Sequence, residues 1–150
     1  MVPEQIEREI VIDAPVAKVW AAVTEAEHIG TWFGNAGATV DLRPGGAITC
    51  VWRDGETVDT VHAVVEKVDE PHLFSYRWAR PPGAAVTATN STLVEFTLRP
   101  DGDRTRLTVV ESGFAALDRA EADALAHVAD NTEGWRTELA ELAAYVPTLP

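Results

Sequence analysis

The stretch STLVEFTLRPDGDRTRLTVVESGF, residues Ser91 to Phe114, decides the fold. Val94, Phe96 and Leu98 alternate with polar neighbours, the period-two pattern of a strand with one buried face. Asp101-Gly102 is a strong hairpin signal, and Leu107 and Val109 resume the alternation beyond it. Two strands joined by so short a turn are antiparallel neighbours. Glu111 shares the parity of Leu107 and Val109, so alternation aims its carboxylate into the protein. A carboxylate placed there has to pair, hydrogen-bond or shift its pKa upward. Arg77 and Arg106, the cations nearest by strand position, have the outward parity, so no cationic partner is assured.

Working upstream, LFSYRWA (73–79) sets Phe74, Tyr76 and Trp78 on one face. A long strand from Glu56 to Val68 precedes it, entered through the Asp54-Gly55 turn from a strand carrying Ile48, Cys50 and Trp52 on one side. A bulge near Lys67 would decide which way His62 faces, and parity alone leaves that open. Before these strands, ATVDL runs into the turn RPGG. At the start of the chain, Ile6, Arg8 and Ile10 share a parity in a half-exposed first strand. Asp13 is then placed to cap a helix and Pro15 suits its first turn. Val16, Val19, Trp20 and Val23 follow at helical spacing, and a second short helix carries His28 to Phe33 before Gly34 stops it. Downstream, Leu125, Val128, Thr132, Trp135, Leu139, Leu142 and Val146 recur every three or four residues. That stripe predicts ~28 residues of helix, about 40 Å long. Gly134 lies inside it at a cost of about 1 kcal/mol against Ala; beside Trp135, it is expected to let the helix approach the strands closely.

The order is therefore α+β: strand, two short helices, six strands and a long final helix. With the landmarks IEREIVIDAPVAKVW, TWF, RPGG, VEKVDEPHLFSYRW, TRLTVVESGF and a late Gly134-Trp135 followed by Leu139 and Leu142, it resembles the START-like, birch-pollen-allergen-like helix-grip superfamily (SRPBCC). Within it, the chain is most similar to homologues of the activator of heat-shock-protein-90 ATPase. The resemblance runs over nearly the whole chain and implies one domain, 1–150. It implies a curved antiparallel sheet wrapped around the C-terminal helix, with an apolar cavity between them. Trp32 and Phe33 would sit at one end of that cavity. They either fill core or wall a pocket, and the convergence of Trp52, Phe74, Tyr76 and Trp78 on one concavity favours the pocket.

On this reading the ligand-binding candidates are Trp32, Phe33, Trp52, Phe74, Tyr76, Trp78, Phe96, Val109, Glu111, Trp135 and Leu139. The expected function is an intracellular binding module for a small apolar, aromatic or lipid-like molecule. A cyclase- or dehydratase-type enzyme in which Glu111 or Tyr76 moves a proton is the alternative, as is a co-chaperone of the heat-shock ATPase. No catalytic residue is assigned. The four histidines, His28, His62, His72 and His127, show no metal-ligand spacing, with His127 expected near the cavity rim. Hydrolase, dinucleotide-binding and phosphate-loop patterns are missing. No metal or other cofactor is expected.

Composition sets the remaining bounds. The 150 residues, 46% hydrophobic and 24% charged, suffice for a substantial core. A net charge of −12, from 24 acidic and 12 basic residues, argues against a nucleic-acid partner. Cys50 stands alone and reads as a small buried thiol, which fits a cytoplasmic location. The start MVPEQIEREIVI lacks the pattern of a secretion signal, and no apolar run reaches the ~20 residues of a membrane span. A monomer or homodimer is expected.

Overall fold

The computed structural model describes residues 1–150. Strand β1 (Gln5–Ile12) leads through helices α1 (Val16–Thr24) and α2 (Ala26–Trp32) into β2 (Ala38–Val40), β3 (Ala47–Asp54), β4 (Thr57–Asp69), β5 (Leu73–Ala79), β6 (Ser91–Asp101) and β7 (Arg104–Ser112), and ends in α3 (Glu121–Tyr145). The seven strands form one sheet in the order β1-β7-β6-β5-β4-β3-β2, every neighbouring pair antiparallel. From β3 to β7 each strand pairs with its predecessor, the arrangement that short turns impose. Only β1 departs from this, returning to pair with the last strand, Ile6 opposite Glu111.

One face of the sheet carries the core. Phe74 pairs with Phe96, and Phe96 in turn with Val109, which stacks large apolar side chains across three strands. Helix α3 lies over this face, burying Trp135, Leu139 and Leu142. At the other end, α1 buries Val19, Trp20 and Val23. The arrangement is a helix grip. Its register shift falls between Val65 and Lys67. Val61, Ala63 and Val65 therefore face inward ahead of the bulge, and His62 points to the opposite side of the sheet.

Three local expectations are corrected. Pro15, not Asp13, is the N-cap of α1, and no side chain caps it. Helix α3 has 25 residues, shorter than the periodicity predicted, because a 3-10 turn carries Val146 to Thr148. Its inward face is also rotated at the start. Leu125 is 39% exposed while Ala124 and His127 are buried, so the core stripe passes through positions 124, 127, 131 and 135. Counting back from Trp135 in steps of four gives Asn131 and His127. Their polarity hid them from a search for apolar spacing.

No helix is long and apolar enough to cross a membrane.

Candidate functional site

The site is built around Glu111, whose side chain is 0% exposed. Its Oε2 accepts hydrogen bonds from the Trp78 indole at 2.8 Å and the Thr92 hydroxyl at 2.6 Å. Its Oε1 accepts from the Trp135 indole at 2.9 Å. The Asn131 amide nitrogen lies 3.0 Å from both oxygens. Strands β5, β6, β7 and helix α3 thus each contribute to one carboxylate. As parity predicts, the two arginines point away: Arg77 approaches Glu66, and Arg106 pairs with Glu9 and Asp101. The carboxylate is satisfied by neutral donors alone, which is how a buried acidic group avoids the cost of an unpaired charge.

Three of those donors face the other way onto a cavity of about 300 Å³. Trp78, Asn131 and Trp135 line it, with Phe33, Trp52, Val61, Ala79, Arg80, Pro82, His127, Gly134 and Glu138. Phe33 is the centre of the aromatic wall. Its ring stacks on Trp78 and Trp135 with centroids 5.6 and 5.7 Å apart, and meets Trp52 edge-on at 5.0 Å. The Trp52 indole donates to the Phe33 carbonyl at 2.9 Å, which ties the end of α2 to β3. Gly34 follows because nothing larger fits: a Cβ there would lie 2.7 Å from Cys50 Sγ and 2.8 Å from the Val51 carbonyl.

The predicted residues divide in space. Phe33, Trp52, Trp78 and Trp135 border the cavity. Trp32, Phe74, Tyr76 and Phe96 surround a wholly apolar crevice of about 30 Å³ beside it, and Val109 and Leu139 are packed into the core. Trp32 is held there by its indole, which donates to the Ala22 carbonyl at 2.7 Å. Glu111 is not part of the lining; it stands behind the wall and orients three residues that are. The pair Trp32-Phe33 does both jobs, one ring for the core and one for the cavity.

The sequence pattern did not mark Val61, Ala79, Arg80, Pro82, Asn131, Gly134 or Glu138 as lining residues, and it placed His127 near the rim, where it is 5% exposed. Spacing of three and four from Trp135 is the signal that finds Asn131 and Glu138. Gly134 also differs from expectation. A Cβ on it would meet nothing within 4 Å, so it does not bring helix and sheet together; it leaves space in the cavity wall.

Two buried side-chain atoms have no hydrogen-bond partner in the protein, His127 Nδ1 and Glu138 Oε2. Both residues line the cavity. Burial, with the nearby Arg80 and Arg119 charges, pushes the His127 imidazole down to about 4, so it is neutral at pH 7. Burial, reinforced by Glu141, pushes the Glu138 carboxyl up to about 8. No three of His, Cys, Asp and Glu gather as a metal-binding group.

An antiparallel sheet gripping a long helix around an aromatic-walled cavity defines the helix-grip class. The family model described as Activator of Hsp90 ATPase homolog 1-like protein matches residues 13–147, and the chain belongs to that family. No curated protein matches it in sequence. Among solved structures it is similar to DynU16, a protein in the dynemicin biosynthetic locus, at 25% identity and a TM-score of 0.75, over 97% of this chain and 48% of that one. The chain thus spans about half of DynU16. It also resembles NE0264 from Nitrosomonas europaea (22% identity, TM-score 0.76, 94% and 92% covered) and CalU16 from Micromonospora echinospora (22%, 0.68, 96% and 76%).

Proposed function

We propose that this protein is a binding module for a small apolar molecule with an aromatic or lipid-like body, held between the sheet and α3. The observation that carries the reading is the cavity of about 300 Å³ walled by Phe33, Trp52, Trp78 and Trp135. That volume is at the lower end of ligand sites, and the mix of stiff rings with a few polar groups is their usual composition. Rings braced by one another and by Glu111 keep the space from collapsing. A ligand entering it replaces water against apolar surface, at about 25 cal/mol per Å².

The role of Glu111 supports binding over proton transfer. A general base has to reach the proton it takes, and this carboxylate is enclosed by Trp78, Thr92, Asn131 and Trp135. Tyr76 is no better placed, since burial, with the Glu111 charge adding, pushes its phenol well above 10.

Titration with a panel of aromatic and aliphatic compounds, read by tryptophan fluorescence, tests the proposal. Saturable quenching that Gly134→Leu abolishes without loss of folding is the expected result, because the leucine occupies the space that the glycine leaves. A whole panel without quenching overturns it.

A further inference from the structure

We propose that the cavity selects a hydrophobic organic cation, an aromatic or alkyl ammonium whose charged head lies beside Glu138 and whose apolar body lies against the tryptophans. The inference rests on the apolar-binding reading above and adds the charge of the ligand.

Its first support is an unpartnered atom. His127 Nδ1 and Glu138 Oε2 are the only buried side-chain nitrogen or oxygen atoms without a hydrogen bond, and both belong to the lining of one cavity. A buried polar atom left unpaired costs about 1 to 3 kcal/mol, so Glu138 Oε2 points to a guest whose head completes it; His127, eleven residues earlier on α3, is about 16 Å away along the helix axis, beyond the reach of that head. The second support is what the lining offers. Asn131 has committed its amide nitrogen to Glu111, which leaves its carbonyl oxygen as an acceptor. Glu138 contributes carboxyl oxygens, and His127, neutral at pH 7, contributes an imidazole rather than a positive charge. An ammonium N–H finds its acceptor in the Glu138 carboxyl, with no positive charge on His127 to oppose it.

The third support is electrostatic. Glu111 lies behind the wall with neutral donors and no cation in its shell. Its negative charge is directed through the indole N–H groups of Trp78 and Trp135, which leaves the ring faces more electron-rich towards the cavity. Ring faces attract a cation held within about 6 Å. Arg80 is the one cation on the lining, and its guanidinium lies 3.5 Å from the Asp130 carboxylate. Burial holds the Glu138 carboxyl protonated up to about 8; an ammonium arriving beside it favours the ionised form, so the carboxyl becomes the counter-charge when the ligand binds. The net charge of −12 draws cations towards the surface from further away.

The test uses three compounds that share a naphthalene body and differ only in the head: naphthylmethylammonium, naphthylmethanol and naphthoate, titrated calorimetrically into the full chain. The expected order is ammonium, then alcohol, then carboxylate, with at least tenfold between the first two. Glu138→Gln, which keeps the size of a partly exposed side chain, is expected to shrink that preference to threefold or less, chiefly by weakening the ammonium. Equal binding of ammonium and alcohol, or a preference that survives Glu138→Gln, overturns the cation inference and leaves the apolar site standing. A trio in which nothing binds overturns both.

Discussion

The Trp135 indole donates to Glu111 Oε1 at 2.9 Å, so together with the Asn131 amide it ties the middle of the last helix to the end of the last strand. The same tryptophan is 2% exposed, lies within ring-stacking distance of Phe33 and Trp78, and borders the cavity. Packing, polar satisfaction and site geometry therefore share one side chain, and its energetics can be separated by substitution.

Trp135→Ala removes both the ring and the donor, and is expected to cost about 3 to 5 kcal/mol. Trp135→Phe keeps most of the ring and removes only the N–H, at about 1 to 3 kcal/mol. Urea denaturation ranks the two. Equal losses would mean that the hydrogen bond carries nearly everything and the packing little.

Glu111→Gln is not a conservative change in this setting. One end of the new amide is a donor, and it meets the Trp135 or the Trp78 N–H, which also donates. The conflict leaves at least one buried indole without an acceptor, so the variant is expected to lose about 1 to 3 kcal/mol. Glu111→Leu, which orphans the indoles of Trp78 and Trp135 and the amide of Asn131 together, is expected to lose more. A Gln variant as stable as the parent would remove Glu111 from the centre of this network.

Gly134→Ala is expected to stabilise the protein by about 0.5 to 1 kcal/mol, the usual gain when an interior helix glycine acquires a methyl group. The open space around its Cβ position means that no packing penalty offsets the gain. A lowered midpoint in thermal unfolding would show that the helix uses the glycine in some other way.

Stability is expected to depend on pH in two opposed ranges. The Glu138 carboxyl is pushed up to about 8 by burial, from 4.5 in the unfolded chain. The native state keeps a proton that the unfolded chain has already released. This contribution is full below 4.5 and is lost as the pH rises through 8. His127 runs the other way, from 6.5 unfolded down to about 4 through burial and then Arg80. Its contribution is full above 6.5 and is lost as the pH falls through 4. Glu138→Gln should remove the upper decline and leave the lower one, as measured by urea midpoints across that range; an unchanged upper slope would contradict the assignment.

Cys50 is buried, and burial pushes its thiol up to about 12. Thiolate is the reactive form, so alkylation by iodoacetamide near neutral pH is expected to follow unfolding rather than precede it. Mass spectrometry at increasing urea shows the order of events, and rapid modification of the native protein would place the thiol at an open surface.

Local rules carried the reading of this chain a long way. Side chains on a strand alternate for steric reasons, and short turns allow only antiparallel neighbours. The parity of Phe74, Tyr76, Trp78, Val109 and Glu111 was therefore legible from residue order alone, as was the sequence of elements. The phase of α3 was not. Hydropathy marks apolar positions as inward, and the helix turns Asn131 and His127 inward because a buried carboxylate and a cavity face them. The partners of Glu111 were equally hidden. Trp78, Thr92, Asn131 and Trp135 come from three separate elements, and their hydrogen bonds exist only once β5, β6 and α3 close around β7. Whether converging rings fill a core or border a space is a matter of how well the packed volumes match. Sequence dictates the rings; the packing left about 300 Å³ between them.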